Sequence, residues 1–132
     1  MTRPRETSAR KILIADDDPQ ILTMISQRLR RRGYEVAEAE NGPKALEQAR
    51  AVKPDVIVLD VLMPGMSGWE VARTLRHDPD LKDIPIIVLT AIGHTTNEAT
   101  SPLFADEYLD KPFEFSDLDR KISLVLMQQK TP

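Results

Sequence analysis

The chain has 132 residues, no cysteine and a formal net charge of −3. That length suits one domain, large enough to fold without a disulfide or metal staple. The missing cysteine excludes a disulfide scaffold, a thiolate zinc site and a thiol nucleophile, and two histidines, His77 and His94, make a poor basis for a histidine-rich metal centre. No apolar run approaches the roughly 20 residues of a membrane span. The first ten residues lack the apolar core of a signal peptide. The expected setting is the cytoplasm, with no membrane partner. The acidic balance gives no general pull toward nucleic acid.

Residues 1–10 are polar and read as a mobile tail. Periodic structure begins at Lys11. Ile12-Leu13-Ile14-Ala15, Val56-Ile57-Val58-Leu59 and Ile86-Ile87-Val88-Leu89 are short, unbroken, mostly β-branched runs, the pattern of strands buried on both faces of a parallel sheet. Helical periods lie between them. In Pro19–Arg32, positions 21, 22, 25 and 29 form one apolar stripe, with Asp18 as N-cap, Pro19 at N1 and Gly33 as terminator. Tyr34–Ala39 reads as a strand, and Asn41-Gly42-Pro43 opens a helix that Lys53-Pro54 closes. Ser67 caps a helix from Gly68 to Arg76. Glu114–Met127 is the last helix, its core stripe at positions 115, 118, 122, 125 and 126. Such alternation predicts an α/β domain with a parallel sheet and right-handed crossovers, whose ligands bind beyond the carboxyl ends of the strands.

The first strand runs into Asp16-Asp17-Asp18, the third into Asp60, the fourth into Thr90-Ala91, and the fifth, around Tyr108-Leu109, into Asp110-Lys111-Pro112. Carboxylates that converge raise one another's pKa unless a cation neutralises them. An oxygen-only donor set suits a hard divalent ion such as Mg²⁺. An ion of that kind beside an ammonium and a hydroxyl is a good environment for a transferring phosphoryl group.

Four ordered pieces carry a resemblance: Ile-Leu-Ile-Ala-Asp16-Asp17-Asp18-Pro, Val-Leu-Asp60-Val-Leu-Met-Pro64-Gly65-Met-Ser-Gly68, Ile-Ile-Val-Leu-Thr90-Ala91 and Tyr108-Leu-Asp-Lys111-Pro112-Phe113. Together, over about residues 11–127, the chain resembles the receiver domain of bacterial two-component response regulators. The resemblance implies a flavodoxin-like, doubly wound sheet of five parallel strands in the order 2-1-3-4-5, with helices on both faces. It implies Asp60 as phosphoacceptor, and Mg²⁺ held by Asp16 (partly through water), Asp17, Asp60 and the backbone carbonyl of Leu62. It further implies Lys111 pairing with Asp60 and then the phosphate, Thr90 as a switch hydroxyl drawn toward the phosphate, Tyr108 changing rotamer with it, and a cis Lys111-Pro112 bond. The partners implied are a sensor histidine kinase or phosphotransfer protein, an unnamed downstream protein, and a second copy pairing on phosphorylation, with no direct nucleic-acid contact.

Plainer readings accompany several residues. Asp18 is a helix cap, Trp69 a packing residue, and His77 and His94 are surface residues. Arg28, Arg30, Arg31 and Arg32 suit the negative end of the first helix. Leu124 and Met127 lie off the core stripe, on a face where receivers commonly meet partners. Gly93–Ala105 departs from the family. Thr95 and Glu98 form a capping-box pattern that Pro102 would break, or Ser101 caps a short turn, and both predict a short or irregular fourth helix. Leu62 and Ile92 are apolar where a polar group would orient a hydrolytic water, which predicts slow self-dephosphorylation.

The expected organisation is a tail over 1–10, a receiver over 11–127, and a tail over 128–132, with no output domain in the sequence. Two rivals stand against a phosphoacceptor. One is a phosphorylation-independent interaction module on the same fold. The other is a small Mg²⁺-dependent phosphohydrolase, which would need an acidic residue just past the nucleophile, where Leu62 and Met63 stand.

Overall fold

The computed structural model describes residues 10–91 and 105–128. The strands are β1 (Lys11–Ala15), β2 (Glu35–Ala39), β3 (Val56–Asp60), β4 (Ile86–Ala91) and β5 (Glu107–Lys111). The helices are α1 (Pro19–Arg31), α2 (Gly42–Val52), α3 (Gly68–Arg76) and the last helix, α4 (Phe115–Gln128). All strand pairs are parallel, in the order β2-β1-β3-β4-β5, as the resemblance implies. The irregular helix expected within 93–105 falls outside the described residues, apart from Ala105, which is buried. So do His94, Ile92 and nearly all of both tails.

The sheet separates two apolar layers. Ile12, Ile14, Val58, Ile87 and Leu89 face α1 and α4, meeting Leu22, Ile25, Leu29, Leu118, Ile122 and Val125. Leu13, Ala15, Ile57, Leu59 and Val88 face α2 and α3, meeting Ala45, Leu46, Ala49, Val71 and Leu75. Alternate residues of one strand thus serve opposite layers, so a parallel strand between two helix layers must be apolar throughout. Every residue of β3 is buried. Each fully enclosed Ile, Leu or Val contributes roughly 1.5–3 kcal/mol, and truncating one such as Ile57 to alanine costs about 2–5 kcal/mol.

The helix ends follow local chemistry. Asp18 accepts from the amides of Gln20 and Ile21 at 2.9 and 3.4 Å, and Gly33 takes φ +97° beyond α1, a conformation that side chains resist. Asn41 accepts from Lys44 N at 2.8 Å. Ser67 and Glu70 form a reciprocal capping box at α3. The last helix begins one residue later than the sequence predicts. Of the basic cluster, Arg30 pairs with Glu38 at 3.4 Å and Arg32 with Asp119 at 3.3 Å, and Arg28 lies over the Phe115 ring at 5.3 Å. These arginines tie α1 to β2 and α4. Among the described residues no helix is long and apolar enough to cross a membrane.

Candidate phosphoacceptor site

β1 and β3 are central neighbours, so their carboxyl ends deliver Asp16 and Asp60 side by side. Asp16 is fully buried and Asp60 is 4% exposed. Asp17 projects to solvent. One carboxylate oxygen from each of Asp16, Asp17 and Asp60 lies within 4.8 Å of the others. Asp16 Oδ1 accepts from Asp18 N at 2.9 Å, which folds the Asp16–Asp18 turn. Lys111 ends β5, just before the cis Lys111-Pro112 bond, and its Nζ stands 3.2 Å from both Asp16 Oδ2 and Asp60 Oδ1.

One ammonium therefore faces three carboxylates, and the electrostatics show the shortfall. Burial, reinforced by the charge of Asp16 and against the pull of Lys111, raises the Asp60 carboxyl to about 6. For Lys111, burial alone would lower the ammonium; Asp16 and then Asp60 outweigh it, and the net direction is up. Acidic oxygens crowded this way, with one exposed member at the opening, form a donor set for a hard divalent cation with waters completing its shell. The residues present fit Mg²⁺.

The chain after Asp60 turns back on itself. Gly68 N donates to Val61 O at 3.0 Å. A Cβ on Gly68 would collide with the Asp60 carbonyl oxygen, so only glycine permits α3 to start this close to Asp60. Leu62, two residues past Asp60, is 54% exposed, whereas Met63 is buried.

Thr90 is the penultimate residue of β4, the strand next to that of Asp60, and is 3% exposed. Its hydroxyl donates to Asp110 Oδ1 at 2.6 Å, across the β4–β5 pairing that sets Thr90 opposite Asp110. Tyr108 is half-buried and packs on Trp69, ring centroids 6.4 Å apart. Burial, then the charge of Asp106, raises its phenol. The structure thus gathers Asp16, Asp17 and Asp60, with Lys111 on two of them, and sets Thr90 on the strand next to Asp60 and Tyr108 on the strand that carries Lys111, while Leu62 follows Asp60 by two residues. No motif announces the Thr90–Asp110 bond. Its one signal is that Asp110 precedes Lys111 on a strand expected beside that of Thr90.

A doubly wound parallel sheet with an acidic pocket and a lysine at its carboxyl edge is the arrangement of a class of signalling domain. The model of the response regulator receiver domain matches residues 12–123, and the chain belongs to that family. It is 45% identical over 120 residues to the phosphate regulon transcriptional regulatory protein PhoB of Pseudomonas aeruginosa, covering 87% of this chain and 51% of that protein. It is 37% identical over 117 residues to the DNA-binding dual master transcriptional regulator RpaA of Synechocystis, covering 88% and 48%. Among solved structures, the response regulator TrrA of Thermotoga maritima, crystallised in complex with Mg²⁺-BeF, superposes with a TM-score of 0.79 at 40% identity, covering 88% of this chain and 98% of that one. The chemotaxis protein CheY4 of Vibrio cholerae gives 0.82 at 32% identity, covering 89% and 99%. The chain spans about half the length of the curated relatives it matches. It is a signalling domain of two-component response regulators rather than an enzyme of metabolism.

Proposed function

We propose that the unit over residues 11–127 is a cytoplasmic phosphoacceptor of a two-component relay, taking a phosphoryl group from a sensor histidine kinase or phosphotransfer protein onto Asp60. The observation that carries this reading is one lysine shared at 3.2 Å by two buried carboxylates, with a third carboxylate at the opening. An Asp60 carboxylate oxygen attacks phosphorus; the new O–P bond forms as the P–N bond to the donor imidazole breaks, and the leaving nitrogen keeps the electron pair. Lys111 steadies the charge on the transferred group. Asp16, Asp17, Asp60 and the Leu62 carbonyl would hold Mg²⁺, which when bound neutralises the phosphoryl oxygens. The phosphate carries roughly −1.5 to −2 charge where the carboxylate carried one. Thr90 then donates to a phosphate oxygen and Tyr108 follows, biasing a surface that already samples two states. That surface meets a downstream protein or a second copy of the chain.

Hydrolysis returns Asp60 and inorganic phosphate when water attacks phosphorus. Leu62 and Ile92 offer that water no polar partner, so release is slow. We expect a phosphorylated lifetime of minutes or longer in Mg²⁺, followed by intact mass; decay within seconds would defeat this part of the reading.

The first experiment is intact mass after incubation with acetyl phosphate and Mg²⁺. One phosphate adduct is expected, lost in Asp60→Asn and on chelation. No adduct on a folded, Mg²⁺-bound protein, from either acetyl phosphate or a phosphorylated kinase, would favour a phosphorylation-independent interaction module instead. Many turnovers of a chromogenic phosphate ester would favour a phosphohydrolase.

A further inference from the structure

The strand end that supplies Lys111 to the acceptor also supplies Asp110 to the switch hydroxyl. Adjacent residues of a strand point to opposite faces, so β5 engages two groups at once: Lys111 reaches Asp60 on one side, and Asp110 takes Thr90 on the other. The Thr90 hydroxyl has one proton to donate. At 2.6 Å its bond to Asp110 lies in the range of a charge-assisted O–H···O⁻ contact, about twice as strong as a neutral one. Thr90 is 3% exposed, so water competes little for that proton.

We propose that Asp110 is a positioning residue that holds the Thr90 hydroxyl in the resting protein, so that a phosphoryl group on Asp60 must displace a carboxylate before Thr90 can donate to it. The inference rests on the reading of Asp60 as acceptor and Thr90 as switch. Thr90 sits one residue beyond the β4 partner of Asp60, on the adjoining strand, so a turn of its side chain exchanges one anionic acceptor for another. The Thr90–Asp110 bond exists only in the resting arrangement. It therefore opposes activation by its own strength, and the resting population is larger than an apolar residue at position 110 would give.

The test uses beryllofluoride with Mg²⁺, a tetrahedral phosphoryl mimic, and compares binding constants in the wild type, Asp110→Ala, Asp110→Asn, Thr90→Val and the double variant Asp110→Ala/Thr90→Val. Removing the carboxylate is expected to tighten binding about tenfold, as suits a hydrogen bond to a charged group. Asp110→Asn keeps a neutral acceptor and should fall between; it also carries the test if Asp110→Ala folds poorly. In the Thr90→Val background the Asp110→Ala gain should vanish, because the effect passes through the hydroxyl. Without the mimic, the Thr90 methyl resonance of Asp110→Ala should shift toward its position in the wild-type complex. An unchanged constant and an unmoved resonance overturn the proposal. An equal gain in the Thr90→Val background also overturns it, since Asp110 would then act only as a charge near the site. If the wild type fails to bind the mimic at all, the acceptor reading fails and takes this inference with it; wild-type binding with no effect of Asp110 removes the inference alone.

Discussion

At the amino-terminal end of β5, Asp106 is met by a guanidinium and an amide: Arg76 Nη2 donates at 2.8 Å and Ile86 N at 2.8 Å, both to Oδ2. At the carboxyl end of the same sheet, Asp16 and Asp60 share the ammonium of Lys111, and Asp17 adds a third carboxylate beside them. Both clusters use aspartates at strand ends. Where charge is matched, the carboxylate is a joint, binding α3 to the start of β4. Where charge is short, the fold bears an unfavourable site that a divalent cation would relieve. The first arrangement suits stability and the second suits the ligand chemistry proposed above, and the ratio of charges tells them apart.

The comparison can be pressed hardest at Asp60. Its carboxyl is raised to about 6 from 3.8. A raised folded value means stability present below the unfolded value and lost as pH climbs through the folded one. A tenfold change in proton affinity is worth about 1.36 kcal/mol, so without divalent ions the wild type should lose about 3 kcal/mol between roughly pH 4 and 6. Asp60→Asn should lack that slope and be more stable than the wild type at about pH 7 by a similar amount, measured by denaturant titration across pH. Equal stability of the two proteins at neutral pH would mean that the acidic pocket carries no strain.

Slightly smaller is the effect of the cation. Mg²⁺ at about a hundredfold excess over its dissociation constant should stabilise the wild type by about 2.7 kcal/mol. It should also flatten the acid-side slope, with both effects weakened in Asp17→Ala. A melting temperature indifferent to Mg²⁺ would break the contrast between the two clusters. Smallest is the matched end. Asp106→Ala leaves a guanidinium and an amide without this partner and should cost about 1.5 kcal/mol, while Mg²⁺ affinity stays at the wild-type value. A loss of Mg²⁺ affinity there would show the two ends to be coupled.

Much of this is legible in the residues because the signals are local. Asp18, Asn41 and Ser67 announce their helices within four residues of chain, and the runs at 12–15, 56–59 and 86–89 announce strands enclosed on both faces. Asp16, Asp17, Asp60 and Lys111 are legible as a set only because each ends a strand, and strand ends of a parallel sheet share an edge. What stays hidden depends on register and reach. Arg76 meets Asp106 across 30 residues of sequence, and Thr90 meets Asp110 across 20; neither pair has a periodic signature. At α3, Ser67 alone is enough to announce the helix, and the return bond from Glu70 is the structure's addition. The arginines of α1 suggest a helix-end charge effect, whereas Phe115, Glu38 and Asp119 supply partners that only folding brings near.

Gly68 has a mechanical side. Because its missing side chain lets α3 begin against the carbonyl of Asp60, helix and strand end meet backbone to backbone. A protein pressing on α3 would press on the backbone of Asp60, with no intervening side chain to absorb the push. On β4, beside the strand of Asp60, Thr90 is held instead by its bond to Asp110 of β5, a contact that a side-chain rotation can break, whereas the backbone closure at Gly68 has no side chain to rotate.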